Sequence, residues 1–127
     1  MVHRPRRPPP GSAQRLPADA RRRRPGVRLV SGRVLAADVL TAALGPDRTL
    51  PLADLGEVEV GVWEMTPGTE QDTEVDEVFV VLAGHGTVVF ADGEVVALAP
   101  GVAVRLRAGE RTTWTVTETL RKVYVAG

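Results

Sequence analysis

An antiparallel all-β sandwich or barrel is the fold class this sequence predicts, and three features predict it. From Glu57 onward apolar and polar residues alternate with period two, as in strands that bury one face. Turn residues recur between these segments at intervals of roughly ten residues. No long helical pattern lies between the turns.

In chain order, residues 1–26 are expected to be a disordered leader. They hold six of the ten prolines and too little apolar surface to offset the entropy of ordering. Of the 16 basic residues eight are arginines of this leader, against one of the 16 acids, Asp19. The four-arginine run 21–24 reads as a solvated charge block, with contact to phosphate or an acidic partner as the alternative. No apolar segment of a secretory signal follows the basic start, and the prolines oppose the amphipathic helix of a mitochondrial presequence.

Residues 27–30 suit a short strand and Ser31-Gly32 a turn. Residues 34–44 suit a short helix or an edge strand, ended by Gly45-Pro46, and residues 47–55 a loop. Strand 57–63 alternates Val58, Val60 and Val62 with their neighbours, and Pro67-Gly68 fits a type II turn. Strand 77–82, a reversal at Gly84-His85-Gly86 and strand 87–90 follow. Asp92-Gly93 marks a tight hairpin before strand 95–98. Ala99-Pro100-Gly101, strand 102–106, the turn Ala108-Gly109-Glu110 and strands 112–116 and 121–125 complete the series.

Residues 27–127 make one domain, long enough to bury a core. With 8 basic and 15 acidic side chains it is acidic, which disfavours nucleic acid or an anionic membrane as partner. No apolar run is long enough to span a bilayer as a helix. The absence of cysteine removes disulfides, thiol nucleophiles and Cys-ligated zinc, and a cytoplasmic location is the expectation.

Chemistry-bearing residues gather at 70–77, where Glu70, Asp72, Glu74, Asp76 and Glu77 precede an apolar strand. Glu77 opens that strand and is expected at a barrel mouth as a general acid/base. The alternative is a structural carboxylate bound to backbone or to Arg105. Glu70 and Asp72 share a face by alternation, whereas Glu74 and Asp76 read as solvated loop acids. Trp63 and Trp114 stack a ligand or fill the core. Arg105 clamps an anion or faces solvent. Thr112 shares a face with Trp114. Tyr124 offers a hydroxyl to ligand, and Lys122 on the same face reads as a protected-edge lysine. His85, between two glycines, reads as a surface turn residue.

Several of these residues fall into a known pattern. Glu77 and Gly84 are separated by six residues, and Gly101, Arg107, Gly109 and Thr112 stand in a second spaced set. Gly61-Val62-Trp63-Glu64, Pro67-Gly68, Asp76-Glu77, Asp92-Gly93, Trp114 and 121–125 accompany them. The chain resembles the cupin superfamily, RmlC-like double-stranded β-helices (jelly-roll barrels). Within it, the chain is similar to small single-domain cupins of the (S)-ureidoglycine aminohydrolase type.

The resemblance implies a His-based metal site, whose positions here hold Glu70, Asp72 and Thr112. The site is therefore degenerate and no cofactor is expected. An oxygen-only site of Glu70, Asp72 and Glu77 for a hard divalent cation is the alternative. The resemblance also implies a homodimer. The function expected is binding of a small polar molecule, lined by Trp63, Glu70, Asp72, Arg105, Thr112, Trp114 and Tyr124, with Glu77 transferring a proton if there is a reaction. Two rivals remain open: a non-enzymatic regulatory or interaction module with a filled pocket, and a metal-dependent enzyme.

Overall fold

The computed structural model describes residues 32–127. The leader and the strand expected at 27–30 lie outside the described residues. Seven strands form one antiparallel sheet: β1 (Thr49–Leu55), β2 (Val58–Met65), β3 (Gly68–Thr73), β4 (Glu77–Phe90), β5 (Val95–Leu98), β6 (Ala103–Leu106) and β7 (Arg111–Ala126). No helix occurs among the described residues, so none could cross a membrane.

The two long strands β4 and β7 pair with each other from Glu77↔Ala126 to Phe90↔Thr112. Their Glu77/Ala126 half carries β6 on one side and β2, then β1, on the other. Their Phe90/Thr112 half carries β5 and β3. The register shifts between Val81 and Gly86, and there the paired strands fold over. The two halves thereby become the facing layers of a cupin-like jelly roll. Lys122 and Trp114 lie eight positions apart in β7, about 26 Å along a straight strand. Yet the Lys122 ammonium sits 4.7 Å from the Trp114 ring centroid, which only a doubled-back strand allows.

Strand alternation then fills the space between the layers. Trp63 and Met65 from β2, Phe79, Val81, Val88 and Phe90 from β4, and Trp114, Val116, Leu120, Tyr124 and Ala126 from β7 form the core with Leu98, Val104 and Leu106. On the outside of the first layer Val78, Val80 and Val125 stay exposed.

Several local expectations change. Gly84-His85-Gly86 is no hairpin turn, because 77–82 and 87–90 are one strand that β7 follows throughout. Strands 112–116 and 121–125 are likewise one strand. The glycines serve the fold-over: a Cβ at Gly84 would land on the Thr119 carbonyl, and one at Gly86 on the Thr115 carbonyl. Residues 49–55 form β1 rather than loop, paired with β2. Residues 34–44 make neither helix nor strand. Asp38 caps a single turn there, accepting from the Leu40 amide at 2.9 Å and the Thr41 hydroxyl at 3.1 Å. That turn is held to the barrel by Arg121, which donates to the carbonyls of Val39 and Ala42 and pairs with Glu64 at 3.0 Å.

The corner between β3 and β4 is tied by Asp76. Its Oδ1 accepts from the Ala108 amide at 3.1 Å and from Arg105 at 3.2 Å, and its carbonyl accepts from the Gly127 amide at 3.0 Å. The Ala108 amide first, then Arg105, hold this carboxyl below its ordinary value.

Two outcomes follow. Gly84→Ala should cost about 3 kcal/mol or more in urea denaturation, from left-handed strain plus the collision with β7. Gly93→Ala has the same backbone sign (φ +94°) and open space around it, and should cost only about 1–2 kcal/mol. For Asp76, a depressed folded value means a contribution fully present above the unfolded value and lost as pH falls through the folded one. Stability measured from about pH 4 down to about pH 2 should therefore fall more steeply in the wild type than in Asp76→Asn.

Candidate functional site

Glu77 opens β4 on the inner face, paired across to Ala126 and Leu106. Lys122 lies on the inner face of β7, between Trp63 of β2 and Val81 of β4. Both side chains are fully buried, and the Lys122 ammonium donates to Glu77 Oε2 at 2.7 Å. Three rings surround the same ammonium, with centroids at 4.3 Å for Phe79, 4.7 Å for Trp114 and 4.8 Å for Trp63. Trp114 packs against Trp63 at 5.8 Å and against Phe79 at 5.5 Å. The ammonium is thus satisfied by one carboxylate and by the negative faces of aromatic rings, an arrangement worth most when desolvated.

This corrects the reading of Lys122 as an edge-strand lysine. The C-terminal half of β7 is flanked on both sides, by β2 and β4, and alternation turns Lys122 inward with Tyr124. It also replaces Arg105 as the partner of Glu77. Arg105 is exposed between buried Val104 and Leu106, on the outer face of β6, where it binds Asp76 and the Leu106 carbonyl. Arg105 therefore does not join the interior group.

Glu70 and Asp72 do share the inner face of β3, opposite Trp114 and Thr112, and both are half-buried. Glu70 is held by Arg48, whose guanidinium donates to both carboxylate oxygens at 2.9 and 3.1 Å. The same guanidinium stacks 5.2 Å from the Trp63 centroid. Arg48 has φ +69°, a left-handed conformation that costs a non-glycine residue about 1–3 kcal/mol. It is fixed by its amide donating to the Gly45 carbonyl at 2.9 Å and by its own carbonyl accepting from the Glu64 amide at 3.1 Å. The contacts run in series from Glu70 through Arg48, Trp63 and Lys122 to Glu77. Arg48 had no signal in the sequence, since its partner is 22 positions away.

Glu74 was also missed. It follows β3 and is 3% exposed, not solvated. Its amide donates to the Glu110 carbonyl at 2.8 Å, and its carbonyl accepts from the Gly109 amide at 2.9 Å. These bonds turn the side chain inward, where Oε2 accepts from the Thr112 hydroxyl at 2.6 Å and the Trp114 indole at 2.9 Å. Thr112 and Trp114 therefore meet as alternation predicts, around a carboxylate the sequence reading placed in solvent. Tyr124 is buried beneath Gly61, where a Cβ would come within 2.6 Å of the phenol oxygen. Its hydroxyl lies 3.4 Å from Glu59 Oε2. His85 is exposed on the fold-over, 2.5 Å from Glu118, away from the interior group.

The residues do not fit a metal ion. The imidazole positions hold Glu70, engaged by Arg48, with Asp72 and Thr112, while Glu77 is engaged by Lys122. Among the described residues no three His, Cys, Asp or Glu side chains converge on a common point. An open cleft of about 630 Å3 lies where β3, β7 and β4 end, lined by Asp72, Thr73, Phe90, Arg111 and Thr112 among others.

Comparison with known proteins agrees with this architecture. The family model of the EutQ-like cupin domain matches residues 52–124. The Clostridium difficile EutQ protein is 27% identical over 61% of this chain and 64% of its own, with a TM-score of 0.54. A Rhizobium leguminosarum protein of unknown function is 30% identical over 64% of this chain and 82% of its own, with a TM-score of 0.57. Ectoine synthase from P. lautus, at 21% identity over 54% of this chain and 51% of its own, shares the fold with a TM-score of 0.50. The chain thus spans about two thirds of the EutQ protein it matches. No protein of curated function matches in sequence.

The caged pair yields a double-mutant outcome. Lys122→Met alone should cost about 3–5 kcal/mol, because it strands the Glu77 carboxylate without its cation. Glu77→Leu combined with Lys122→Met should return to within about 1 kcal/mol of wild type or exceed it. Urea midpoints decide it: a double variant as unstable as the single one would mean the pair holds the barrel by more than mutual neutralisation.

Proposed function

We propose, from the premise that this chain belongs to the EutQ-like cupin family, that its barrel binds a small polar metabolite and that Glu77 moves a proton on it without a metal. The observation that carries this reading is the fully buried Glu77–Lys122 pair. Removing two charges from water costs several kcal/mol per ion, and apolar side chains of the same volume would stabilise a barrel at least as well. A pair kept in the core at that cost supports a chemical role. Lys122 keeps a positive charge beside the carboxylate that accepts the proton, and Trp63 and Trp114 provide a water-poor wall.

Arg48 supports a ligand bearing a carboxylate. Its planar fork already grips the Glu70 carboxylate over Trp63, and an incoming carboxylate of the same geometry competes for it. Displacement of Glu70 then uncovers the path past Trp63 towards Lys122. The substrate class is a small carboxylate or a ureide-like compound, in keeping with the resemblance to the ureidoglycine-aminohydrolase type.

A second reading rests on the seal. Trp114, Glu77 and Lys122 have almost no exposed surface, and Trp63 is 2% exposed. A barrel filled by its own side chains suits a non-enzymatic interaction module. Thermal-shift screening of small carboxylates and ureides separates the two, since binding to the native state raises Tm. For the enzymatic reading, Glu77→Gln should keep the Tm rise of a true ligand while turnover falls about 10²- to 10⁴-fold. Turnover unchanged in Glu77→Gln removes Glu77 from the chemistry, and no Tm rise with any probe favours the interaction module.

A further inference from the structure

We infer that Glu74 is the anionic end of a second binding site, reached from the cleft at the ends of β3, β7 and β4, which takes the head of a small primary ammonium compound. This names a ligand class for a carboxylate that the Glu77 chemistry does not use. It does not rest on Glu77 transferring a proton.

Charge pairing singles Glu74 out. Glu77 has Lys122, Glu70 has Arg48, Glu64 has Arg121 and Asp76 has Arg105. Both partners of Glu74 are neutral, a threonine hydroxyl and an indole N–H, and both bind Oε2. Oε1 is buried and, among the described residues, has no hydrogen-bond partner. A carboxylate offers about four acceptor positions, and leaving a buried charged oxygen without a donor is among the more costly defects in a core. What is missing is therefore a donor, and one that carries positive charge.

The surroundings fit an ammonium better than the alternatives. Among the described residues no second and third carboxylate converge with Glu74 as a divalent cation requires. A water molecule would supply a donor and leave the charge uncompensated. An ammonium brings three donors on a compact head. The cleft of about 630 Å3 is large enough for a small metabolite. Thr112 links the two places: its buried hydroxyl donates to Glu74, and the residue is part of the cleft wall. Asp72 adds a second carboxylate to the wall and Phe90 an apolar surface, while Arg111 is placed to meet an anionic group at the far end of the ligand.

The test uses the full chain with methylammonium, β-alanine and, as neutral controls of similar size, methanol and propanol. Methylammonium and β-alanine should raise Tm where the alcohols do not, and β-alanine should bind more tightly if Arg111 takes its carboxylate. Glu74→Gln should weaken ammonium binding about 10- to 100-fold, the loss of one charge-assisted hydrogen bond. Glu118→Gln, which removes an exposed carboxylate on the fold-over, should leave it unchanged, so that a loss in Glu74→Gln belongs to the site and not to overall charge.

If Glu74→Gln fails to fold, the wild type still decides. Of its two indole N–H groups, that of Trp114 binds Glu74, so its ¹⁵N–¹H resonance should shift on titration with methylammonium. Equal Tm rises with the alcohols, ammonium binding retained in Glu74→Gln, or a Trp114 resonance that does not move would each overturn the proposal.

Discussion

The fold-over of β4 and β7 is the constraint on which the rest of this structure depends. Two strands of 14 and 16 residues, paired along their whole length, would make a flat ribbon with no interior. The register shifts between Val81 and Gly86 bend both at once, and Gly84 and Gly86 permit it because β7 backbone occupies the space of their Cβ atoms. Doubling the ribbon brings Trp114 back over Lys122 and Trp63, and turns one apolar face into a closed core.

Closing that core around charged groups imposes a second condition, which is local neutrality. Inside a low-dielectric barrel an isolated charge is costly, whereas a charge with a partner and a few aromatic faces is tolerable. Lys122 and Glu77 satisfy the condition at the centre, and Arg48 and Glu70 satisfy it further out, with Trp63 between the two cations. The barrel thereby carries a fixed ammonium in the region where the cupin resemblance implies a metal. The chemistry available is that of paired carboxylates and ammonium groups, which hold and move protons and bind ions of either sign. Glu74 departs from the pattern, its negative charge met only by neutral donors.

Much of the architecture was legible because period-two alternation and turn chemistry are local. The strand at 57–63 and the Asp92-Gly93 hairpin depend on residues a few positions apart and lie where those patterns place them. The core face of β2, however, carries Trp63 and Met65 rather than the valines, and Gly68 opens β3 at φ +152° instead of closing a type II turn. Alternation also foretold that Glu70 and Asp72 share a face, and that Thr112 and Trp114 do. The misreadings have one cause. Gly84-His85-Gly86 reads locally as a reversal because glycines mark hairpins, while here they serve a partner strand 29 to 35 positions away. Residues 49–55 lacked a strong strand pattern and became a strand by pairing with β2.

What the sequence determined alone was an all-β chain, several of its turns, its acidic balance and the cupin resemblance. Those are sums over neighbours, and neighbours are what a sequence displays. Tertiary structure decided which charges meet: that Lys122 is a core residue and Arg105 a surface one, that Glu77 pairs with a lysine 45 positions away, and that Glu74 is buried. Period two assigns a side chain to a face but does not say which face is covered, and only the doubling of β4 against β7 made one of them the inside.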